Sequence, residues 1–406
     1  MLPAAAQRAI EALRKGIPPD GYVRHFTVGR QAEIDSLTQR LRDGETGALL
    51  LKANYGAGKT HLLRFIREIA LDYDYAVSLI ALDAKSAIRF NRMDQIFGAT
   101  VRAVEVPRKE GKGPGVLFAS LLDAMTSPCG DPQRERQLRE LSSFGRWDYS
   151  KTLTSPALYV AVRAWLVGTL YGSQYPDIPL EVEAWMSEPW NYYTQTKWLY
   201  QRFVAGMRQH FRDPRVASQF YCRGVDTFVL RSSDHSQAWD ALRDLNFIAH
   251  LSGYKGLVLL VDEFEDVIYN LRGGGVDCQM KAFWNLFRLF GGDYPGLSFY
   301  AVTPGFVHKC KELLKSKGYW DYDFSRFDAL PTFEMSPLSE KELERLALRI
   351  VECHSQAYDW PAGNVLSSPD LRQLVKNCAR QPIQDRTRKT ITTLIKTLDD
   401  LLEGPE

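Results

Sequence analysis

Gly47–Leu71 reads GALLLKANYGAGKTHLLRFIREIAL, and the rest of the chain is organised around it. The apolar run Ala48–Leu51 predicts a buried strand, Ala53–Gly58 a tight glycine-bearing turn, and Lys59 onward an amphipathic helix with Leu62, Leu63, Ile66 and Ile69 on one face. Strand, turn and helix in that order are what an anion-cradling loop needs. The backbone of Asn54, Tyr55, Gly56, Ala57 and Gly58, together with the positive end of the helix dipole, offers a phosphate site running on through Lys59, Thr60 and His61. Lys59 can reach terminal phosphates, and the Thr60 hydroxyl can ligate Mg²⁺. The spacing fits G-x-x-x-x-G-K-[ST] except that Ala53 stands for the first glycine, which is tolerable where the backbone does not need positive φ. A chance Gly-Lys-Thr at an ordinary helix start is the alternative, and the flanking strand and helix argue against it.

A second stretch carries complementary chemistry. In Gly256–Val267, GLVLLVDEFEDV, the apolar strand Leu257–Val261 delivers Asp262 and Glu263 to its carboxyl end, where ligands of parallel α/β sheets bind. Asp262 suits the Mg²⁺ shell, and Glu263 suits polarising a water that attacks a γ-phosphate. Solvated acids at a strand end are the bland alternative. Glu265 and Asp266 read as facing solvent or a partner. Pro295–Gly305, PGLSFYAVTPG, predicts a further strand ending in Thr303, whose hydroxyl either orients the attacking water or caps the turn before Pro304.

Composition sets the frame for these motifs. The chain has 406 residues, 45% apolar and 25% charged, an ordinary globular balance with room for two or three domains. A net charge of +2 neither requires nor excludes a polyanionic partner. The six cysteines are scattered without a C-x-x-C pair, so reduced thiols are expected rather than zinc ligands or disulfides. The N-terminal MLPAAAQRAIEALRKGIPPDGY is too charged for a signal peptide, and no run approaches the ~18 apolar residues of a membrane span. A cytoplasmic chain without a membrane partner is the expectation.

Between the second strand, Tyr75–Leu82, and Gly256 lie about 170 residues, too many for a loop. Six of the nine tryptophans fall there, which argues for folded structure. Pro156–Leu170, Tyr192–Phe211 and Ser236–Leu251 have helical apolar spacing, while Arg108–Gly115 and Ser127–Gln137 read as flexible polar connections. Lys197–Arg231 holds seven Lys/Arg against two acids, interleaved with Trp198, Tyr200, Phe203, Phe211, Phe220 and Tyr221. That composition fits a single-stranded nucleic-acid surface, although more often such an arrangement is a solvated arginine face over an aromatic core. Leu271–Gly275 reads as a mobile glycine loop.

Downstream, DFSRFDALPTFEMSPL (Asp323–Leu338) places Ser325-Arg326 before a last strand, Ala329–Met335, and three helices follow: Glu340–Cys353, Ser368–Asn377 and Ile383–Leu402. Arg326 either serves a neighbouring subunit or pairs with Asp323 or Asp328. Among Arg380, Arg386 and Arg388 none stands out as a phosphate sensor.

With these residues assembled, the chain resembles AAA+ ATPases of the additional-strand class near the origin-recognition and helicase-loader branches. More narrowly, Ile10–Arg30, Tyr55-Gly56 before Gly58-Lys59-Thr60-His61, VDEFEDV and the long insert are similar to the ATP-binding proteins of the BREX phage-defence system, the BrxD family in particular. The resemblance implies that Val28, Gly29 and Arg30, about 25 residues before the loop, pack at the adenine side, although Gly29 would serve equally as a plain turn before a helix. It also implies sensor work for Thr303 and an in-trans arginine finger for Arg326. The expected fold is an α/β P-loop core at 22–100 and 245–338, with an N-terminal helical segment at 1–21, a helical insert at 101–244 and a helical lid at 339–406. The expected function is Mg-dependent ATP hydrolysis in an oligomeric defence or DNA-transaction motor or loader, with DNA contact through Lys197–Arg231. A nucleotide-gated scaffold with negligible turnover is the alternative.

Overall fold

A computed structural model describes residues 2–82, 88–127, 130–142, 153–170, 176–211, 228–230, 236–265, 276–320 and 323–404. Its centre is a six-stranded sheet of β1 (Gly47–Lys52), β2 (Ala76–Ala81), β3 (Val104–Glu105), β4 (Leu257–Asp262), β5 (Leu297–Val302) and β6 (Thr332–Glu334), in the order β3-β2-β4-β5-β1-β6. All neighbours run parallel except the edge pair β2–β3. The apolar runs explain why. Strands of a parallel sheet are covered on both faces and read as continuous hydrophobic stretches, and every residue of β4 and β5 is buried.

Side chains alternate between two cores. Leu50, Leu259, Val261, Tyr300 and Val302 join the helices of the long insertion on one face. Leu49, Leu51, Leu260, Phe299 and Ala301 pack on the other against the helices Gln31–Asp43 and Lys59–Asp72. Each such fully buried aliphatic or aromatic side chain contributes roughly 1.5–3 kcal/mol. A third core joins the N-terminal helix Pro3–Arg14, through Ala6, Ala9, Ile10 and Leu13, to the C-terminal helices Glu340–Tyr358, Ser368–Ala379 and Ile383–Glu403. There the Arg14 guanidinium forks onto Asp399 (3.0 and 2.8 Å), which also accepts from His354 Nε2 (3.0 Å), while Trp360 Nε1 donates to His354 Nδ1 (2.9 Å).

The structure departs from the sequence expectations in several places, the helix expected from Tyr192 starting only at Thr196. Ser127–Gln137 is not a connection: a helix runs over Pro132–Ser142, its start capped by the Asp131 carboxylate on the Gln133 and Arg134 amides (2.9 and 3.3 Å). Its polar composition hid a face that buries only Leu138 and Leu141. The last strand is shorter than Ala329–Met335, because Ser325–Asp328 forms a helical turn before it. The edge strand β3 was too short to show as a pattern; Glu105 fixes it to the Lys59–Asp72 helix through Arg67 (Nε to Oε1, 2.8 Å). The loop expected at Leu271–Gly275 lies outside the described residues. No helix among those described is long and apolar enough to cross a membrane, and the four cysteines among them are free.

Candidate active site

The turn Ala53–Gly58 leaves β1 at the carboxyl edge of the sheet. Ala53 is buried, has no positive φ and donates its amide to Val302 O (3.1 Å), extending the β1–β5 ladder by one bond. The missing glycine is therefore not needed there. Gly56 (φ 69°) and Gly58 (φ 91°) supply the left-handed turns that a concave row of amides requires. Gly56 is needed twice over, because a Cβ on it would stand 1.6 Å from the carbonyl of Gln384, at the start of the helix Ile383–Glu403.

Lys59 opens the helix behind the turn. Its ammonium donates to Ala53 O (2.9 Å) and Asn54 O (3.2 Å), and the Tyr55 ring centroid lies 5.0 Å away. Burial pushes the Lys59 pKa below its ordinary value, while Glu265, Asp262 and Glu263, in that order, pull it back up. Lys59 and the acids of the β4 tip thus act on one another. Thr60 is half-buried beside it.

The acids come from the end of β4. Asp262 is 8% exposed and accepts the Glu263 amide on Oδ1 (2.9 Å). Glu263 is exposed and holds a left-handed backbone (φ 53°), an uncommon conformation for a non-glycine residue. That turn brings Phe264 into an aromatic cluster with Phe90, Tyr300 and Phe306. Glu265, expected to face solvent, is instead 3% exposed: Oε1 accepts the Tyr55 hydroxyl, Oε2 accepts the Thr303 amide (3.1 Å), and Lys309 stands 4.0 Å off. One weak signal for this is legible in the chain, the apolar Phe264 between two acids, with no measure of the turn. Thr303 is buried at the tip of β5, and its Oγ1 has no hydrogen-bond partner among the described residues.

The upstream segment joins the same edge. Arg30, with φ 60°, donates to Ala57 O (2.6 Å), and Thr27 Oγ1 bonds His61 Nε2 (2.8 Å). Burial, aided by Arg30 and Arg64, pushes the His61 pKa down to about 4, so the ring is neutral at pH 7. Gly29 allows the helix Glu340–Tyr358 to come close, since a Cβ there would meet Glu342 Oε1 at 2.2 Å, and Arg349 donates to His25 O and Thr27 O (2.7 Å each). Val28 is buried in the terminal helical core.

Two of the expected features stand apart from this cluster. Arg326 is exposed, with its guanidinium 4.1 Å from the Phe287 ring centroid; Asp328 is taken by Lys311 (2.7 Å) and Asp323 by Ser325. In the basic stretch, the helix Thr196–Phe211 buries Phe203 against Trp185 and Phe228, pairs Arg202 with Glu181 (2.8 Å) and exposes Trp198. Residues 212–227 and Arg231 lie outside the described residues.

The donor set fits a magnesium nucleotide. Thr60 and Asp262 offer hard oxygens that would suit Mg²⁺, and the Thr303 hydroxyl, unpaired among the described residues, is free to bond a further polar group.

The fold is that of an α/β protein with a largely parallel sheet, and the polar residues described above gather at its carboxyl edge, where such sheets bind ligands. A family model described as "BREX system ATP-binding protein BrxC/D" matches residues 2–126 and 226–406, which is most of the chain. The chain belongs to that family, and is thus an ATP-binding protein of a phage-defence system. Comparison with curated proteins and with solved structures gave no match.

Proposed function

We propose that this chain is an AAA+ P-loop ATPase, binding Mg-ATP at the Ala53–His61 loop and hydrolysing it as a working subunit of a defence assembly. The observation that best supports the reading is the turn itself: two left-handed glycines, with the Lys59 ammonium held on Ala53 O and Asn54 O, beside a strand end where Asp262, Glu263 and Glu265 act electrostatically on that lysine. The roles follow from chemistry. Loop amides and Lys59 hold the phosphates, while Thr60 and Asp262 hold Mg²⁺, which neutralises phosphate charge. Glu263 polarises the attacking water and Thr303 orients it, so positioning and charge provide most of the acceleration. Val28, Gly29 and Arg30 line the adenine side.

Arg326 takes the finger role toward a neighbouring subunit; its exposure supports that assignment. The core spans 22–100 and 245–338, the insert 101–244 and the lid 339–406. Lid contacts at Gln384 and Glu342 support movement of the lid with the occupant of the loop. The insert, through Lys197–Arg231, contacts DNA.

The test is turnover with Glu263→Gln in the presence of partner proteins. Turnover should fall about 100- to 1,000-fold with MgATP affinity kept. Equal inactivity of native and variant chains would replace the enzyme by a nucleotide-gated scaffold. For the insert, DNA affinity should fall steeply with salt, and absence of binding at low salt with ATP present would remove DNA from the reading.

A further inference from the structure

The helix Lys59–Asp72 begins without a capping side chain, because its cap position is Gly58. Leu62 N–H donates to Gly58 O at 2.9 Å, which leaves the amides of Gly58, Lys59, Thr60 and His61 as those a helix start cannot satisfy from within. One carbonyl could still change this. Ala57 O comes four residues before His61 and would accept its amide if the helix wound back by a residue. It is instead turned onto Arg30, whose Nη2 donates to it at 2.6 Å.

Stability alone does not account for a charge in this place. Burial pushes the Arg30 pKa below its ordinary value, against the opposing pull of Glu33 and Glu342, and Nη1 is buried without a hydrogen-bond partner among the described residues. A guanidinium held in this way weakens a fold unless its bonds offset the lost solvation. Its contact is with the loop backbone: a Cβ on Gly58 would stand 3.9 Å from Nη2, so the group lies beside the Ala57–Gly58 peptide. A trans peptide points its C=O and its N–H in opposite directions. Drawing Ala57 O onto Arg30 therefore turns the Gly58 N–H away from Arg30, in an orientation that the φ of 91° at Gly58 permits.

We propose that the Arg30 side chain is a positioning residue of the phosphate loop: by holding Ala57 O out of the helix ladder it fixes the Gly58 amide and leaves the His61 amide open, so that both meet phosphate. The proposal rests on the reading of Ala53–His61 as the phosphate site. It concerns the guanidinium alone and is separable from the adenine-side place of Val28–Arg30. Amides preset in this way act on the phosphates, whatever base they carry.

The test is calorimetric titration of the full chain with MgATP and with magnesium tripolyphosphate, which has the phosphates but neither base nor sugar, for the native protein, Arg30→Gln, Arg30→Lys and Lys59→Ala. Arg30→Gln should weaken both ligands by the same factor, about tenfold for the loss of a hydrogen bond from a charged donor, with the native stoichiometry kept. Arg30→Lys, which can still donate to one carbonyl, should fall between that variant and the native chain. If Arg30→Gln does not fold, Arg30→Met, which keeps the apolar stem, takes its place under the same expectation. A lower melting temperature or stoichiometry with unchanged affinity would make Arg30 a structural residue only and overturn the proposal. Weakening toward MgATP alone would move the side chain's role to the base and overturn it too, with the nucleotide site left standing. So would a native chain that takes MgATP but no tripolyphosphate, since preset amides should hold the phosphates by themselves. If Lys59→Ala binds both ligands as the native chain does, the reading of the loop fails on its own, and no heat from the native chain with either ligand would remove both.

Discussion

The carboxyl edge of the sheet and the bundle formed by the terminal helices are both rich in buried polar groups, and they treat them in opposite ways. In the bundle, Trp360 donates to His354, His354 to Asp399, and Arg14 closes the chain from the other side, so each group supplies what the next one needs. At the sheet edge, the Lys59 ammonium rests on two carbonyls and feels three acids only at a distance, a buried threonine hydroxyl lacks a partner among the described residues, and Glu263 and Arg30 hold left-handed backbones. Polar groups that satisfy one another hold a structure together; a buried hydroxyl left unpaired at the sheet edge is what the proposed nucleotide site would use.

The two regions meet at a few points, and the largest predicted effect lies at one of them. Gly56→Ala puts a methyl group onto the Gln384 carbonyl and strains a φ of 69°, at a cost of roughly 2 kcal/mol or more. Its denaturation midpoint should fall and its MgATP affinity with it. If only stability moves, the Gln384 contact plays no part in nucleotide binding.

Acid separates the regions by pH window. His61 ionises at about 4 in the folded protein and near 6.5 when free, so the unfolded chain binds the extra proton between those values. The stability that the neutral ring preserves is complete above pH 6.5 and is lost as pH falls toward 4. The bundle follows two steps. His354, lowered by burial against the opposing pull of Asp399, loses its contribution as pH drops below 6.5. Asp399 would be raised by burial, but its bonds from Arg14 and His354 outweigh that and hold it below 3.8, so its contribution persists to lower pH. Thermal melts across pH 7.5 to 3 should show His61→Gln losing part of the decline between 6.5 and 4. An unchanged slope would mean that His61 contributes nothing.

The smallest effect sharpens the contrast. Arg14→Ala should cost about 1 kcal/mol, given a fork that is partly open to solvent, and leave MgATP affinity within about twofold. A larger drop in affinity would show that the bundle acts on the proposed site rather than only holding the terminal helices together.

Much of this was legible because parallel strands advertise themselves. GALLLK, LVLLVD and LSFYAV are apolar enough to be placed within a residue or two, and each ends in the residue that matters: Lys52 leading into the loop, Asp262, and Val302 before Thr303. The helices Pro156–Leu170 and Ser236–Leu251 were read to the residue from their apolar spacing. What stayed hidden depended on geometry that spacing does not encode. Glu265 turns inward because Glu263 adopts a left-handed φ, and nothing in D-E-F-E dictates that turn. The approach of Gln384 to Gly56 joins opposite halves of the chain, and only a three-dimensional arrangement reveals it.

The strand order carries a mechanical corollary. β1, from the first part of the chain, is inserted between β5 and β6 from the last part, and β2 is hydrogen-bonded to β4. A protease cut within residues 127–225, the span the family model leaves unmatched, would sever the polypeptide without freeing either piece. Neither fragment could close its own sheet. The two should travel together through native chromatography, part only in denaturant, and recombine when expressed as separate halves.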